Sequence, residues 1–360
     1  MTMRLRWGVC GTGAVAAKFV LGLAASDTAE VTLVASRSRE RAGVFAQALG
    51  IAQAVEGYEA ALRSGSIDVI YLATPPSEHL NQAVAALEAG VPVLVEKPFA
   101  TSAAEARAIA DTARRCGVFC MEGMWTRFLP AAQRLRELVA DGMLGEVRQV
   151  SGSLGFGYAG DSDSGNFDPV RGGGALRHLG VYPVSLAQWL FGSASDVSAL
   201  GRMGRSGVDE EVSLSVRYSS GVLGSFQASL RSTGVNDFHV TGTHGSLALR
   251  GPIYRPYGIS FKRSTPRGAS GAPTGLGKKE QLRERTIVQR LAQFSGFVMP
   301  APFQPRLYTG NGYHYEAEEI ARVLSEGLTE SPIMPLADSI AVAETLDLAR
   351  QMMTIGGGAR

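Results

Sequence analysis

Apolar residues in the first third of the chain fall into two alternating textures. Short continuous apolar runs, LRWGVCG, VTLVAS, VIYLAT and VPVLVEKP, are separated by Ala-rich stretches at 14–25, 38–49, 78–89 and 102–115 with helical spacing. Doubly buried runs alternating with helices predict a parallel sheet covered by helices on both faces, with short connections. After Thr126 the texture changes. A helical pattern at 130–141 leads into a strand-like VRQVSGSLGF, a glycine loop at 172–174 and a helical HLGVYPVSLAQWLFG. Period-two segments follow, VSLSVRYSS, GVLGSFQASLR, NDFHVTGT and GSLALRG, which predict an antiparallel sheet with one apolar face. Residues 263–280 are rich in Gly, Pro, Ser and cations without periodicity and are expected to form a mobile surface loop. Helical patterns near 314–326 and 337–352 close the chain. The expected fold class is α/β, with one domain over 1–125 and a second over 126–360 whose last helices can pack back on the first.

Composition adds mainly exclusions. A chain of 360 residues, 45% hydrophobic and 19% charged, suits two globular domains. No stretch approaches the roughly 18 consecutive apolar residues of a membrane span, and MTMRLRWGVCGTG lacks the apolar core of a signal peptide, so a soluble, cytoplasmic protein is expected. A net charge of +2 without a clustered basic face argues against a nucleic-acid partner. Cys10, Cys116 and Cys120 form no CxxC pair and have no companion histidines, so neither a disulfide framework nor a metal site is expected.

Candidate chemistry begins at the end of the first run, where Gly11, Thr12, Gly13, Ala14, Val15 and Ala16 form a GxGxxA pattern. The first glycine permits a tight turn, the second lets backbone approach a pyrophosphate, and Ala16 lets the helix pack closely on the strand. The helix N-terminus then offers N–H groups to phosphate. At the end of the second run, where an NAD site usually places a carboxylate, the chain reads Ala35-Ser36-Arg37-Ser38-Arg39. Ser36 and Arg37, with Arg41 from the next turn, suit a 2′-phosphate and hence NADP. The plainer alternative is a solvated arginine cluster at a helix start. The third run ends in ATPPSEH, carrying Thr74, Pro75 and His79, and the fourth in Glu96-Lys97-Pro98. These segments converge where an open parallel sheet binds its ligand. Lys97 there suits a hydrogen bond to a substrate oxygen and a lowered pKa for a neighbouring acid. His79 suits capping or packing equally well.

These motifs together, with MWTRF, the glycine loop before a tyrosine, and GNGYHYE near the end, resemble the glucose-fructose oxidoreductase, inositol dehydrogenase and MocA family. EGMWTRF at 122–128 and TESPIMP at 329–335 resemble most the subgroup of dimeric dihydrodiol dehydrogenase and NADP-dependent D-xylose dehydrogenase. The resemblance implies a Rossmann domain followed by an α/β domain on a large, mostly antiparallel open sheet that forms a homodimer, or a tetramer. It also implies Lys97 near the nicotinamide, and a Tyr or His four residues beyond an Asp on the helix after the glycine loop. The Tyr is Tyr182, but the Asp position is His178. Four-residue spacing puts His178 and Tyr182 on one helix face and turns Arg177 aside. A histidine there is expected to exchange a proton near neutral pH, as an aspartate would only with a raised pKa. The alternatives are a packed histidine in an inactive member and a core tyrosine. Trp125 and Arg127 are expected near the cofactor and the domain junction, and Phe156, Tyr158 and Trp125 as an aromatic wall for a ring. The implied reaction is NADP-dependent hydride transfer to or from a sugar, keto-sugar, polyol or cyclic diol, with Tyr182, its pKa lowered by Lys97, handling the hydroxyl proton. A non-catalytic NADP-binding regulator is the competing reading.

Overall fold

The structure, a computed structural model, describes residues 4–159, 165–264 and 302–355. Most of the stretch 263–280 therefore lies outside the described residues. The first unit runs β1 (Leu5–Cys10), α1 (Ala14–Leu23), β2 (Ala29–Ser36), α2 (Arg39–Leu49), β3 (Gln53–Glu56), α3 (Tyr58–Leu62), β4 (Val69–Leu72), α4 (Pro76–Glu88), β5 (Val93–Glu96), α5 (Ala103–Cys116) and β6 (Cys120–Gly123). Its strands form one parallel sheet in the order β3-β2-β1-β4-β5-β6. The order reverses between β1 and β4, which opens a crevice at the carboxyl ends of those two strands. Local capping fixes where helices start: Ser38 accepts from the Arg41 N–H at the head of α2, and Ser102 from the Glu105 N–H at the head of α5.

A 3₁₀ turn at Trp125–Phe128 leads into α6 (Pro130–Ala140) and β7 (Val147–Gly155). A π-helical turn at Leu176–Gly180 runs directly into α7 (Val181–Phe191). Then come β8 (Ala194–Met203), β9 (Asp209–Tyr218), β10 (Leu223–Ser229), β11 (Phe238–Gly242), β12 (Gly245–Arg250), β13 (Gly258–Arg263), β14 (Phe303–Pro305), α8 (His314–Ser325), α9 (Leu336–Met352) and β15 (Met353–Ile355). The second sheet has nine strands in the order β14-β13-β12-β11-β7-β10-β9-β8-β15. It is antiparallel except where β7 meets β10 and β8 meets β15.

The inner face of the second sheet, with Leu214, Phe226 and Phe238, joins Trp125 and Phe128 at the junction, and Trp7, Phe19 and Tyr71 beneath the first sheet, in one continuous core. A second cluster fills the other face of the first sheet and takes in Leu336 from α9. Helix α8 packs on α1 and β2, and α9 on α5 and β6, so the end of the chain clamps the nucleotide-type unit to the sheet that follows it.

Candidate active site

The β1–α1 turn has the shape a dinucleotide needs. Gly11 sits at φ +113°, and a Cβ there would stand 2.5 Å from the Ala73 carbonyl oxygen, so only glycine fits. At Gly13 nothing lies within 4 Å of where a Cβ would be, which leaves room for a ligand against the backbone. No side chain caps α1 and no acid sits in its first turn, so its leading N–H groups are open to an anion. Thr12, Ala14 and Val15 line the adjoining cleft of about 970 Å³, whereas Ala16 is fully buried against the sheet. Ser36, Arg37 and Arg41 line the same cleft at the end of β2. The residues present therefore fit a nicotinamide dinucleotide, with room for phosphate at the arginine end.

The loops after β4 and β5 bring Thr74, Pro75, Glu96 and Lys97 to the cleft. His79 belongs behind them: its ring nitrogens lie 3.0 Å from the carbonyl oxygens of Pro98 and Thr74, it is fully buried, and it does not line the cleft. Its sequence-based place among the cofactor contacts is corrected to a brace between the two loops.

Lys97 is the centre of the site. Its Nζ donates to the His178 carbonyl at 3.2 Å and lies 4.8 Å from the centroid of the Tyr182 ring. That carbonyl belongs to the π-helical turn, just ahead of Pro183, which has no N–H to donate. Burial works against the Lys97 charge, but the neighbouring Tyr182 and Glu96 oxygens outweigh it and hold the ammonium above its ordinary pKa. Tyr182 is buried, and its hydroxyl accepts from Trp125 Nε1 at 3.4 Å. Trp125 is itself fixed by stacking on Tyr313, with centroids 4.5 Å apart and planes 2° from parallel. Burial raises the Tyr182 hydroxyl further than Lys97 lowers it. The expected lowered pKa is thus reversed, and the phenol is protonated at neutral pH. Glu96 is engaged by the Tyr71 hydroxyl at 2.5 Å and is pushed up by burial.

His178 lines the cleft beside Tyr182, as the spacing required. Burial and the Lys97 ammonium push its imidazole down to about 3. This corrects the expectation of proton exchange near neutral pH: the ring is neutral, and its Nε2 is buried with no partner among the described residues. Arg177 turns aside to Asp347 on α9 at 3.4 Å. Arg127, expected near the cofactor, is fully buried at the junction and absent from the cleft lining. There it binds Asp338 at 2.5 Å, and the Ser185 hydroxyl and carbonyl at 3.0 and 2.7 Å. It is a structural strut, because its guanidinium faces α7 and α9.

Phe156 and Tyr158 line the cleft, and Tyr254 completes the wall, 5.7 Å from Phe156 and 6.3 Å from Trp125 and Tyr182. Sequence reasoning missed Tyr254, Arg171, Arg255 and Asn311, which reach the cleft from loops far apart in the chain. GNGYHYE was the available signal for Asn311 and Tyr313; the other three carried none.

Residues 5–124 match the oxidoreductase family with an NAD-binding Rossmann fold, and residues 132–248 the GFO/IDH/MocA C-terminal domain. The trans-1,2-dihydrobenzene-1,2-diol dehydrogenases of Mus musculus and Sus scrofa are each 33% identical, over 98% of this chain and 98% of their own. A solved 3-ketoreductase from Actinomadura kijaniata, in complex with NADP and TDP-benzene, has a TM-score of 0.78 at 23% identity, covering 97% of this chain and 98% of that one. An aldose-aldose oxidoreductase from Caulobacter crescentus, complexed with glycerol, has a TM-score of 0.79 at 22% identity, covering 97% of each chain. With a glycine cradle at the switch point of its first sheet and relatives matched along its whole length, the chain belongs to the GFO/IDH/MocA family of oxidoreductases and carries an NAD(P)-binding Rossmann domain.

Proposed function

We propose that the cleft takes NADP and that the enzyme interconverts a carbinol and a carbonyl on a sugar, keto-sugar, polyol or cyclic diol. The observation that carries this reading is the Lys97 ammonium packed 4.8 Å from the Tyr182 ring, at the carboxyl end of the parallel sheet and in one cleft with the glycine turn. When bound, the nicotinamide supplies the hydride chemistry. The chain's own residues position the substrate carbon and manage the proton on its oxygen. In reduction, the Tyr182 hydroxyl gives its proton to the carbonyl oxygen. Trp125 Nε1 holds the phenol oxygen in place, and the Lys97 ammonium stabilises the negative charge that develops on it. In oxidation the same groups receive the proton. The neutral His178 ring offers a hydrogen bond to a neighbouring substrate hydroxyl, and the wall of Trp125, Phe156, Tyr158 and Tyr254 excludes water and receives the ring.

The preference for NADP rests on Ser36, Arg37 and Arg41 at the end of β2, where neither β2 nor the turn after it supplies a carboxylate to the cleft. The 3-ketoreductase was solved with NADP, whereas a levoglucosan dehydrogenase of the same fold was solved with NADH. The preference therefore rests on the residues of this chain. Lys97, Tyr182 and His178 are the residues assigned to the reacting end. We place the enzyme in the cytoplasm, where the free thiols of Cys10, Cys116 and Cys120 stay reduced. We assign its homodimer contact to the outward face of the second sheet. That face presents Ser213, Ser215, Ser225 and Gln227, with Leu200 and Leu223 exposed among them.

The test is a panel of pentoses, hexoses, cyclic diols and keto-sugars, each with the oxidised or reduced cofactor as its chemistry requires, followed by reduced-nicotinamide absorbance. Turnover on at least one class is expected. Tight NADP binding without turnover on any of them overturns the enzymatic reading and leaves a non-catalytic NADP-binding regulator.

A further inference from the structure

At the reacting end of the cleft Lys97 is a part-buried ammonium answered by the neighbouring Glu96 carboxylate, and His178 beside it is neutral. Arg171 enters the same cleft from the loop before the π-helical turn. Its guanidinium lies against Gly165, where a Cβ would stand 3.6 Å from the guanidinium carbon. Arg171 is only partly exposed, yet it makes no ion pair among the described residues. The other carboxylate in the cleft lining, Glu78, stands exposed on α4 and is not paired with it.

The loop that presents Arg171 is a built support. Asp168 Oδ1 accepts from the backbone N–H groups of Val170 and Arg171 at 2.9 and 3.3 Å, so the nearest carboxylate in sequence is occupied by backbone. The Gly173 N–H donates to the Asp168 carbonyl at 2.8 Å, and the Gly174 N–H to that of Asn166 at 2.9 Å. Gly172, at φ +84°, sits so close to the loops after β4 and β5 that a Cβ would stand 3.1 Å from Pro76 and 3.2 Å from Thr101. The backbone that carries Arg171 is therefore held beside those loops, with Arg171 in the cleft lining. A partly desolvated guanidinium with no partner is costly, and an anionic ligand relieves that cost while forming paired charge-assisted hydrogen bonds.

We infer that the substrate carries an anionic oxyacid group, a carboxylate or a phosphate, and that Arg171 reads it while the aromatic wall takes the apolar face of the same molecule. The inference rests on the redox reading of this cleft and narrows its substrate class. Neutral sugars and diols satisfy the Tyr182 and His178 positions but leave the Arg171 guanidinium without a counter-charge, which makes them the poorer ligands.

The experiment compares matched pairs that differ only in the acid: an aldose with its uronate and with its 6-phosphate, and a cyclohexadiene diol with its ring carboxylate. Binding to the NADP-saturated enzyme is measured by calorimetry, and turnover by absorbance. The wild type should bind at least one acid-bearing member about tenfold or more tightly than its neutral partner, the scale of a hydrogen-bonded charge. Arg171→Ala should collapse that ratio towards one while NADP affinity holds, and Arg171→Lys should keep part of it. A uronate or ring carboxylate as the preferred ligand identifies a carboxylate source, and the 6-phosphate a phosphate source. Equal binding of the neutral and acidic members, absence of binding by any acidic member, or an unchanged ratio in Arg171→Ala overturns the inference. Selective acid binding without any turnover overturns the redox reading and leaves the anion site standing.

Discussion

His178 stands where two conditions unfavourable to an imidazolium coincide, burial and the Lys97 ammonium. A ring pushed down to about 3 is not a proton carrier at neutral pH, so in the proposed reaction the proton chemistry falls to Tyr182 and Lys97, both held above their ordinary values. The sign of the pH dependence follows. Carbonyl reduction uses protonated Tyr182, a form present below its raised pKa and lost as pH climbs through it. Reduction rates should therefore hold through neutral pH and fall only on the alkaline side, while oxidation of the alcohol rises with pH. Neither profile should show the inflection near about 6.5 that a free histidine gives. Steady-state profiles in both directions check this, and a neutral-range inflection that disappears in His178→Asn would sink the assignment. At the other end of the cleft, Arg37→Asp should weaken NADP binding by about 100-fold or more, the scale of a charge-assisted hydrogen bond turned into a repulsion, with far less effect on NAD. Equal losses in fluorescence titrations would remove Arg37 from the 2′-phosphate. That Lys97 and Tyr182 line the cleft was legible, Lys97 from its place after a strand and Tyr182 from the family resemblance. Their pKa directions were not, because desolvation depends on what the rest of the chain packs around them.

At the scale of elements, the longer helices were legible in place and length, because apolar periodicity is a local property, whereas the five-residue α3 was not read. Several strands were not. β3 and β14 are short, with no buried positions to set a period, and β8 is mostly exposed along one side. β6 reads as CMEG and becomes a strand only by pairing with β5. These elements exist through their neighbours, so composition alone does not mark them. The π-helical turn was not legible, because HLGVYPVSLAQWLFG reads as one helix and Pro183 is ordinary in the first turn of α7. The β1–α1 turn gives the sharpest test at this scale. Gly11→Ala forces a Cβ to 2.5 Å from the Ala73 carbonyl at φ +113°. Strain of this kind costs about 1–3 kcal/mol, so denaturant unfolding should shift by that amount and NADP affinity should fall with it. Wild-type stability and affinity in this variant would show that the turn does not have the shape described.

At the scale of the whole molecule, the cleft is set by how the two sheets are fastened, and Arg127 is a fastener. The sequence reading expected it, with Trp125, near the cofactor and the domain junction, and the structure puts it at the junction alone. In the 3₁₀ turn they diverge: Trp125 faces the cleft, while Arg127 reaches α7 through Ser185 and α9 through Asp338. Asp347 on α9 reinforces the same clamp by accepting from the Ala103 N–H at the head of α5, at 2.7 Å, and from Arg177 at 3.4 Å. Arg107 and Glu344 add a further ion pair between the same two helices. Removing the guanidinium leaves Asp338, the Ser185 carbonyl and the Ile333 carbonyl without the donor they share. Asp338 keeps partial access to water, so the loss is about 3 kcal/mol, the lower end for breaking a buried pair from one side. Arg127→Ala should therefore lower global stability by about that much in urea, with a single transition because one core spans both sheets. The folded fraction should still bind NADP with near-native affinity, since the side chain touches no part of the cleft lining. A selective loss of NADP binding with stability unchanged would return Arg127 to the cofactor and show that the clamp lies elsewhere.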